Sequence, residues 1–213
     1  MEFERLVEIV EDEPVFATGL LLAGDVDPNH VRRQLTRWTN AGRLYQLRRG
    51  LYTLAPPYQK VKPHPFTIAN RMTQGSYVSC QSGLAHYGLI PEYTPTVVSV
   101  CSSRPRHWDT PLGSFLFRHV RRKYLFGYRL LELGDGKQAL VATPEKALLD
   151  LIYLTPGGDS KGYIHSLRLQ NFESLDVHSL KNAARAFGKP KVMRAAEQME
   201  SLVLESSAGE QGR

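Results

Sequence analysis

Six polar side chains between residues 29 and 40 recur at the spacing of one helix face. They are Asn29, Arg32, Arg33, Thr36, Arg37 and Asn40. An arginine guanidinium can donate two parallel hydrogen bonds to the edge of guanine, and an asparagine amide can pair in the same way with adenine. The set therefore predicts a surface that contacts double-stranded DNA in its major groove.

These side chains need a helix that holds them on one side, and the sequence around them predicts one from Asn29 to Ala41. Asp27 and Pro28 form a strong helix start, because an acidic cap precedes a proline that has no N–H to satisfy. Val31, Leu35 and Trp38 fall on the opposite, apolar face, so we expect Trp38 in the core rather than on DNA. Gly42 is placed to end the helix.

A β-hairpin is predicted directly after this helix. Residues 44–47 and 51–54 are β-prone, and Arg48, Arg49 and Gly50 form the turn between them. We expect Arg48 and Arg49 to contact phosphates or a minor groove. With an acidic amphipathic helix at 2–12 and a short second helix from Val15 to Leu22, this order predicts a winged helix-turn-helix domain over residues 1–58.

The charge distribution supports an anionic partner. The chain carries a formal net charge of +6, and no acidic residue occurs from Pro28 to Pro91. Nine arginines and lysines fall in that stretch. An uninterrupted basic segment of this kind is typical of a surface that contacts phosphates.

The pattern changes to mixed α and β after residue 60. Strands are predicted at 77–79, 97–101, 114–120, 128–133 and 138–142, and helices at 66–72, 81–87, 144–153, 175–187 and 190–204. The predicted fold class is α+β, with a C-terminal mixed α/β domain over residues 60–205 that ends in helices. Residues 157–160 are predicted to form a flexible break, and residues 206–213 a disordered tail.

A second basic group surrounds the middle strands of this domain. It comprises Arg104, Arg106, His107, Arg118, His119, Arg121, Arg122 and Lys123, with Asp109 as the only acid among them. It could extend a DNA surface or meet RNA or an acidic protein. A solvated strand edge whose charges discourage aggregation explains it equally well, and the sequence leaves these alternatives open.

The residues give little support for an enzymatic function. The Asp135-Gly136-Lys137 segment and Asp109 resemble the acids of a metal-dependent nuclease, but the glycines predict a turn rather than a rigid strand. The seven histidines lack metal-ligand spacing, and the glycines of 157–162 are not followed by the residues of a phosphate loop. Glu145, Lys146 and Asp150 are interpreted as a helix cap and surface charges. We therefore expect no catalytic residue, no metal and no cofactor.

Composition also bears on the compartment. Cys80 and Cys101 are the only cysteines, with no CxxC neighbour, which predicts reduced thiols. No apolar run approaches the roughly 20 residues that a membrane helix requires. The sequence therefore predicts a cytoplasmic protein without a membrane partner.

Three segments resemble the AbiEi-like antitoxins of bacterial type IV toxin-antitoxin and abortive-infection systems. They are the wing at 47–52, the segment Tyr77-Val78-Ser79-Cys80-Gln81-Ser82-Gly83-Leu84-Ala85-His86-Tyr87-Gly88-Leu89-Ile90, and the helix start at 142–150. Their order and spacing match that family over about residues 1–155. In physical terms we expect the middle segment to form core packing, with Leu84 and Tyr87 buried and Gly88 turning the chain.

The resemblance implies an antitoxin that represses its own operon and counteracts a nucleotidyltransferase toxin encoded beside it. In this scheme the partners are operator DNA and the toxin, and direct contact with the toxin is not required. Two alternatives remain at this point. One is a stand-alone winged-helix regulator without a toxin, and the other is a metal-dependent DNA-processing enzyme that uses the second domain.

Overall fold

The computed structural model describes residues 1–23, 26–91 and 95–210, with side chains through residue 205. Its N-terminal unit contains α1 (Phe3–Val10), β1 (Phe16–Ala17), a 3₁₀ turn (Thr18–Leu22), α2 (Pro28–Asn40), β2 (Leu44–Arg48) and β3 (Leu51–Leu54). The strands form an antiparallel sheet in the order β1-β3-β2. This is a winged-helix topology. The predicted helix over Val15–Leu22 was wrong, because Phe16 and Ala17 extend the wing sheet and only a 3₁₀ turn follows.

The second unit is built on one six-stranded mixed sheet. Its elements are α3 (Pro65–Met72), β4 (Tyr77–Val78), α4 (Cys80–His86), β5 (Thr96–Cys101), β6 (Arg106–Thr110), β7 (Gly113–His119), β8 (Tyr128–Glu132), β9 (Gln138–Ala142), α5 (Pro144–Leu154), α6 (Lys161–Ser166), α7 (Val177–Phe187) and α8 (Pro190–Glu210). The strand order is β6-β7-β5-β4-β9-β8. The pairs β5/β7 and β4/β9 are parallel and the others antiparallel. The chain is therefore an α+β protein.

Each face of this sheet is covered by a different layer. Helices α4, α5, α7 and α8 contribute side chains such as Leu84, Leu148 and Phe187 to the core on one face. On the other face, Val97, Phe115 and Phe117 pack against α3 and against residues of the N-terminal unit. The alternation of side chains along β5 and β7 produces this division, since neighbouring residues in a strand point to opposite faces.

The wing joins the two units because both of its faces are buried. Tyr52 and Leu54 belong to the core around α1 and α2, whereas Leu51 packs on the six-stranded sheet. A register shift between Gln46 and Arg48 interrupts the pairing of β2 with β3. This bulge places Leu47 in the second core with Leu51. The sequence predicts a separate second unit, and in the structure Val15, Leu47 and Leu51 of the N-terminal unit share one of the core clusters with it.

Helices α4 and α5 approach each other closely. A Cβ atom on Gly83 would lie 2.9 Å from the Cβ of Ala147, so this contact requires glycine. Leu84 is fully buried, as predicted, whereas Tyr87 is half-buried and donates its hydroxyl to the Ala142 carbonyl at 3.0 Å. Gly88 leaves the helix with a φ of +67°, as expected for a turning glycine.

Several elements depart from the sequence prediction. Strand β6 forms where the sequence predicts only a basic connection, and α6 follows directly after the predicted flexible break. The Gly157–Ser160 segment is a turn in which Asp159 accepts two hydrogen bonds from Arg194, at 2.6 and 3.0 Å. Helix α8 continues to Glu210, beyond the predicted start of a tail at residue 206, and residues 211–213 lie outside the described residues.

A buried charge cluster lies between the sheet and α5. Lys146 and Asp150, one turn apart, are both fully buried and form an ion pair. Lys146 Nζ also donates to the Tyr77 hydroxyl at 2.9 Å, and Asp150 accepts from Tyr77 at 2.9 Å and from Ser79 at 2.8 Å. The interpretation of Lys146 and Asp150 as surface charges was wrong.

The same correction applies to Glu145, which is buried and accepts a hydrogen bond from the Asp176 backbone at 3.0 Å. The cap itself is confirmed, since Thr143 accepts from the Lys146 backbone N–H at 3.3 Å. The periodicity of the sequence does not reveal that these charged residues are buried, because the same residue pattern also fits a helix with one face in solvent.

Burial acts on both members of the pair. It lowers the pKa of Lys146 and raises the pKa of Asp150, whereas their mutual contact acts in the opposite direction on each pKa. The rings of Phe126 and Phe187 lie 4.9 and 4.8 Å from the Lys146 ammonium. The lysine is therefore stabilised by one carboxylate, one hydroxyl and aromatic faces, away from solvent.

We expect Asp150→Ala to lower the free energy of unfolding by about 3–5 kcal/mol, because it leaves the Lys146 charge buried and unpaired. The double variant Lys146→Met/Asp150→Leu should be more stable than the single variant. Urea unfolding measures both, with Glu8→Ala in the exposed Arg5–Glu8 pair as the control, where the loss should stay below about 1 kcal/mol. A loss for Asp150→Ala no larger than this control would contradict the assignment.

Candidate nucleic-acid interface

Helix α2 is shaped by a cap at its start and an apolar stripe along one side. Asp27 accepts the Asn29 backbone N–H at 2.9 Å, and Pro28 occupies the first turn. Val31, Leu35 and Trp38 are buried in the core with Phe3, whose ring lies 5.5 Å from that of Trp38. The prediction of Trp38 as a core residue is confirmed. The packed stripe fixes which side of the helix faces solvent.

All six predicted contact residues of α2 lie on the solvent side. Asn29, Arg32, Arg33, Thr36, Arg37 and Asn40 are each exposed. A row of three arginines flanked by amides and a hydroxyl is thus presented on a rigid helix. Such a face can donate hydrogen bonds to base edges and phosphates.

The side chains at the start of the face are partly engaged with each other. Arg32 donates to the Asn29 side-chain oxygen at 3.3 Å, and Thr36 donates to the Arg32 carbonyl at 3.0 Å. Arg33 lies 3.9 Å from Asp27, but both groups are mostly exposed, so this ion pair contributes little. Arg37 and Asn40 make no side-chain hydrogen bond or ion pair with the described residues, which leaves both available to a ligand.

The two arginines at the wing tip have different surroundings. Gly50 turns the chain with a φ of +77°, and Arg49 beside it is exposed. Arg48 is half-buried, and its Nε donates to the Met72 carbonyl at the end of α3 at 2.7 Å. Its Nη1 donates to the Arg49 carbonyl at 3.0 Å. The two arginines were predicted as equivalent contacts, but the guanidinium of Arg48 holds the wing against the second unit.

A second contact joins the units near the same place. Arg71 of α3 forms an ion pair with Glu13 at 3.1 Å, where both side chains are about half exposed. Because this pair is exposed it adds little, and the Arg48 contact and the shared apolar core set the orientation of the wing relative to the six-stranded sheet. The position of α2 relative to that sheet follows from the same contacts.

The acids that resemble those of a metal-dependent nuclease are not brought together. Asp109 lies on β6 and Asp135 in the turn between β8 and β9, so they occupy opposite edges of the sheet. Asp135 forms an ion pair with Lys137 at 2.9 Å instead. Within residues 1–23, 26–91 and 95–210, no group of three histidines, cysteines or acids is arranged to hold a metal ion.

The helices also bear on the expectation of no membrane partner. Across the part of the chain that the structure describes, no helix combines the length and apolar character needed to cross a bilayer.

We expect Arg48→Ala and Arg49→Ala to differ in their effect on folding. Arg48→Ala removes a charged donor from the Met72 carbonyl and should lower the free energy of unfolding by about 1.5–3 kcal/mol. Arg49→Ala changes an exposed side chain and should stay within about 0.5 kcal/mol of the parent protein. Denaturant unfolding of the two variants checks this, and equal stabilities would contradict the division of roles.

Comparison with known proteins supports the fold. No family model matches the chain, and no curated protein matches it. Among solved structures, the chain is similar to the crystal structure of the RV2827C protein from Mycobacterium tuberculosis, with 20% sequence identity and a TM-score of 0.53. The match covers 95% of this chain and 76% of that protein. At this identity the likeness establishes a shared fold alone.

Proposed function

We propose that this protein is a winged-helix transcriptional regulator that binds operator DNA and represses its own promoter. The observation that carries the proposal is the exposed face of α2, where Arg33, Arg37 and Asn40 stand opposite a fully packed apolar stripe. Docking this face in a major groove gives the arginines access to guanine edges and Asn40 access to adenine. Arg49 at the wing tip then reaches the adjacent backbone or minor groove.

We further propose that the protein is the antitoxin of a type IV system that opposes a nucleotidyltransferase toxin. This part rests on the resemblance of three segments to AbiEi-like antitoxins. Two of these segments form the contact between α4 and α5, where Gly83 meets Ala147, and the buried cluster of Lys146 and Asp150. In the proposal they maintain the scaffold of the second unit, which acts in the cytoplasm together with the DNA-binding unit.

The operator hypothesis predicts that the protein binds preferentially to the DNA upstream of its own gene. Replacing Arg33 and Arg37 with alanine should weaken binding, by about 1–3 kcal/mol for each base that an arginine no longer recognises. The measurement is fluorescence anisotropy on the upstream fragment and a scrambled fragment at two salt concentrations, which separates base recognition from phosphate attraction. The control is Lys161→Ala/Arg185→Ala, which removes the same charge from exposed residues of α6 and α7.

Two results would overturn this hypothesis. Equal binding of the parent protein to both fragments, abolished together at higher salt, would leave only general attraction between a basic protein and DNA. Unchanged preference in the Arg33→Ala/Arg37→Ala variant would move the recognition surface away from α2.

The antitoxin hypothesis predicts growth rescue. A nucleotidyltransferase encoded beside this gene should arrest growth when expressed, and co-expression of the full chain should restore growth. The Arg33→Ala/Arg37→Ala variant should still rescue growth while it loses promoter repression in a reporter assay. Failure of the parent chain to rescue, or absence of such a gene, would favour a regulator without a toxin.

A further inference from the structure

The second basic group gathers at one corner of the six-stranded sheet. Strands β5 and β7 are parallel and end side by side, with Cys101 opposite His119. Strand β6 runs antiparallel to β7 and begins at the same end, with Arg106 opposite Phe117. The loop before β6 and the last residue of β7 are joined by a 3.0 Å hydrogen bond between the His119 ring and the Ser103 carbonyl. Two basic segments that are separate in the chain therefore meet at this corner.

We call this region the basic corner. It consists of Arg104, Arg106, His119, Arg121, Arg122 and Lys123, and all six are exposed. No acidic residue occurs at 101–108 or 117–127, and Asp109 lies toward the far end of β6, opposite Ser114. Its arginines and lysine have no ion pair within the described residues, whereas the exposed Arg5, Arg71 and Arg194 each have one. The positive charge of this corner is thus uncompensated by the part of the protein that the structure describes.

The corner reaches both sides of the sheet: Arg106 lies on the side of the wing, whereas residues 121–123 stand between Val120 and Tyr124, which pack in the core on the helical side. Directly opposite residues in an antiparallel pair project to the same face, so Arg106 and Trp108 share the face of Phe117 and Phe115. That face carries the core shared with Leu47 and Leu51 of the wing. Strand β6 also packs along β2. The Arg106 side of the corner therefore lies at the edge of the second unit whose strand packs against the wing.

The chemistry of the corner suits phosphates more than bases. Single-stranded nucleic acid is usually held by exposed aromatic rings on which bases stack. Here Tyr124 is buried, and the half-buried Trp108 is covered by the Arg106 guanidinium at 5.6 Å from its ring. Guanidinium and ammonium groups without a stacking platform match the backbone of a duplex.

We propose that the basic corner binds backbone phosphates of the same DNA duplex, beside the segment that α2 and the wing contact. This inference rests on the proposed operator binding and extends it to the second unit. The corner adds affinity that depends on salt and carries no sequence information, and it lengthens the DNA footprint beyond that of a single winged helix.

The test compares two triple variants with equal loss of charge. Arg104→Gln/Arg106→Gln/Arg122→Gln neutralises the corner, and Lys161→Gln/Arg168→Gln/Arg185→Gln neutralises exposed residues on the helical layer. Binding of each full chain to a long upstream duplex and to a short duplex that spans only the α2 site is measured over a range of salt concentrations. We expect the corner variant to lower the slope of log affinity against log salt on the long duplex, by about 0.9 for each phosphate that it no longer neutralises.

The control triple variant should keep the slope of the parent protein, and all three proteins should bind the short duplex alike. The inference is overturned if the corner variant matches the control on the long duplex, or if it loses affinity only for a structured RNA probe. These outcomes differ from failure of operator binding itself, in which the parent protein shows no preference for its upstream DNA and the Arg33→Ala/Arg37→Ala variant changes nothing.

Discussion

The burial of the wing on both faces is the constraint on which the rest of the structure depends. In a winged helix whose sheet covers only its own helices, the outer face of the hairpin is free. Here the bulge at Leu47 turns that side chain, with Leu51, into the core of the six-stranded sheet. The hairpin thereby becomes a layer of the second unit as well. Since α2 packs on the other face of the same hairpin, the orientation of its exposed arginines is set by the whole molecule.

This arrangement changes what the basic residues near the wing can do. Arg48 is committed to the Met72 carbonyl, so its guanidinium holds two units together, and Arg49 remains at the tip. Strand β6 lies against β2 and presents Arg106 on the wing side of the sheet. A surface that recognises bases needs rigid side chains, whereas phosphate contacts tolerate variation in position. The proposed division between α2 and the second unit follows this physical distinction.

The buried cluster of Lys146, Asp150, Tyr77 and Ser79 constrains the second unit in another way. An apolar core could fill the same volume, and a buried ion pair is weak evidence for stability. The cluster instead specifies how α5 packs against β4. Its hydrogen bonds are satisfied only when these two elements meet in one register. The close contact of Gly83 with Ala147 fixes α4 against α5 in the same region. The strand-to-helix segment and the Pro-Glu-Lys helix start thus act together as a packing unit.

The sequence by itself determined the features that depend on neighbours within a few residues. The Asp27 cap, the stripe of Val31, Leu35 and Trp38, and the Gly50 turn place α2 and the wing, and with them the exposed face of the candidate site. Only the tertiary structure decided features whose partners lie far along the chain. Arg48 meets Met72, Lys146 meets Tyr77, and the adjacent ends of β5 and β7 bring the two basic segments to one corner. The physical reason is that capping and periodicity are local, whereas burial and charge pairing depend on which segments the fold brings together.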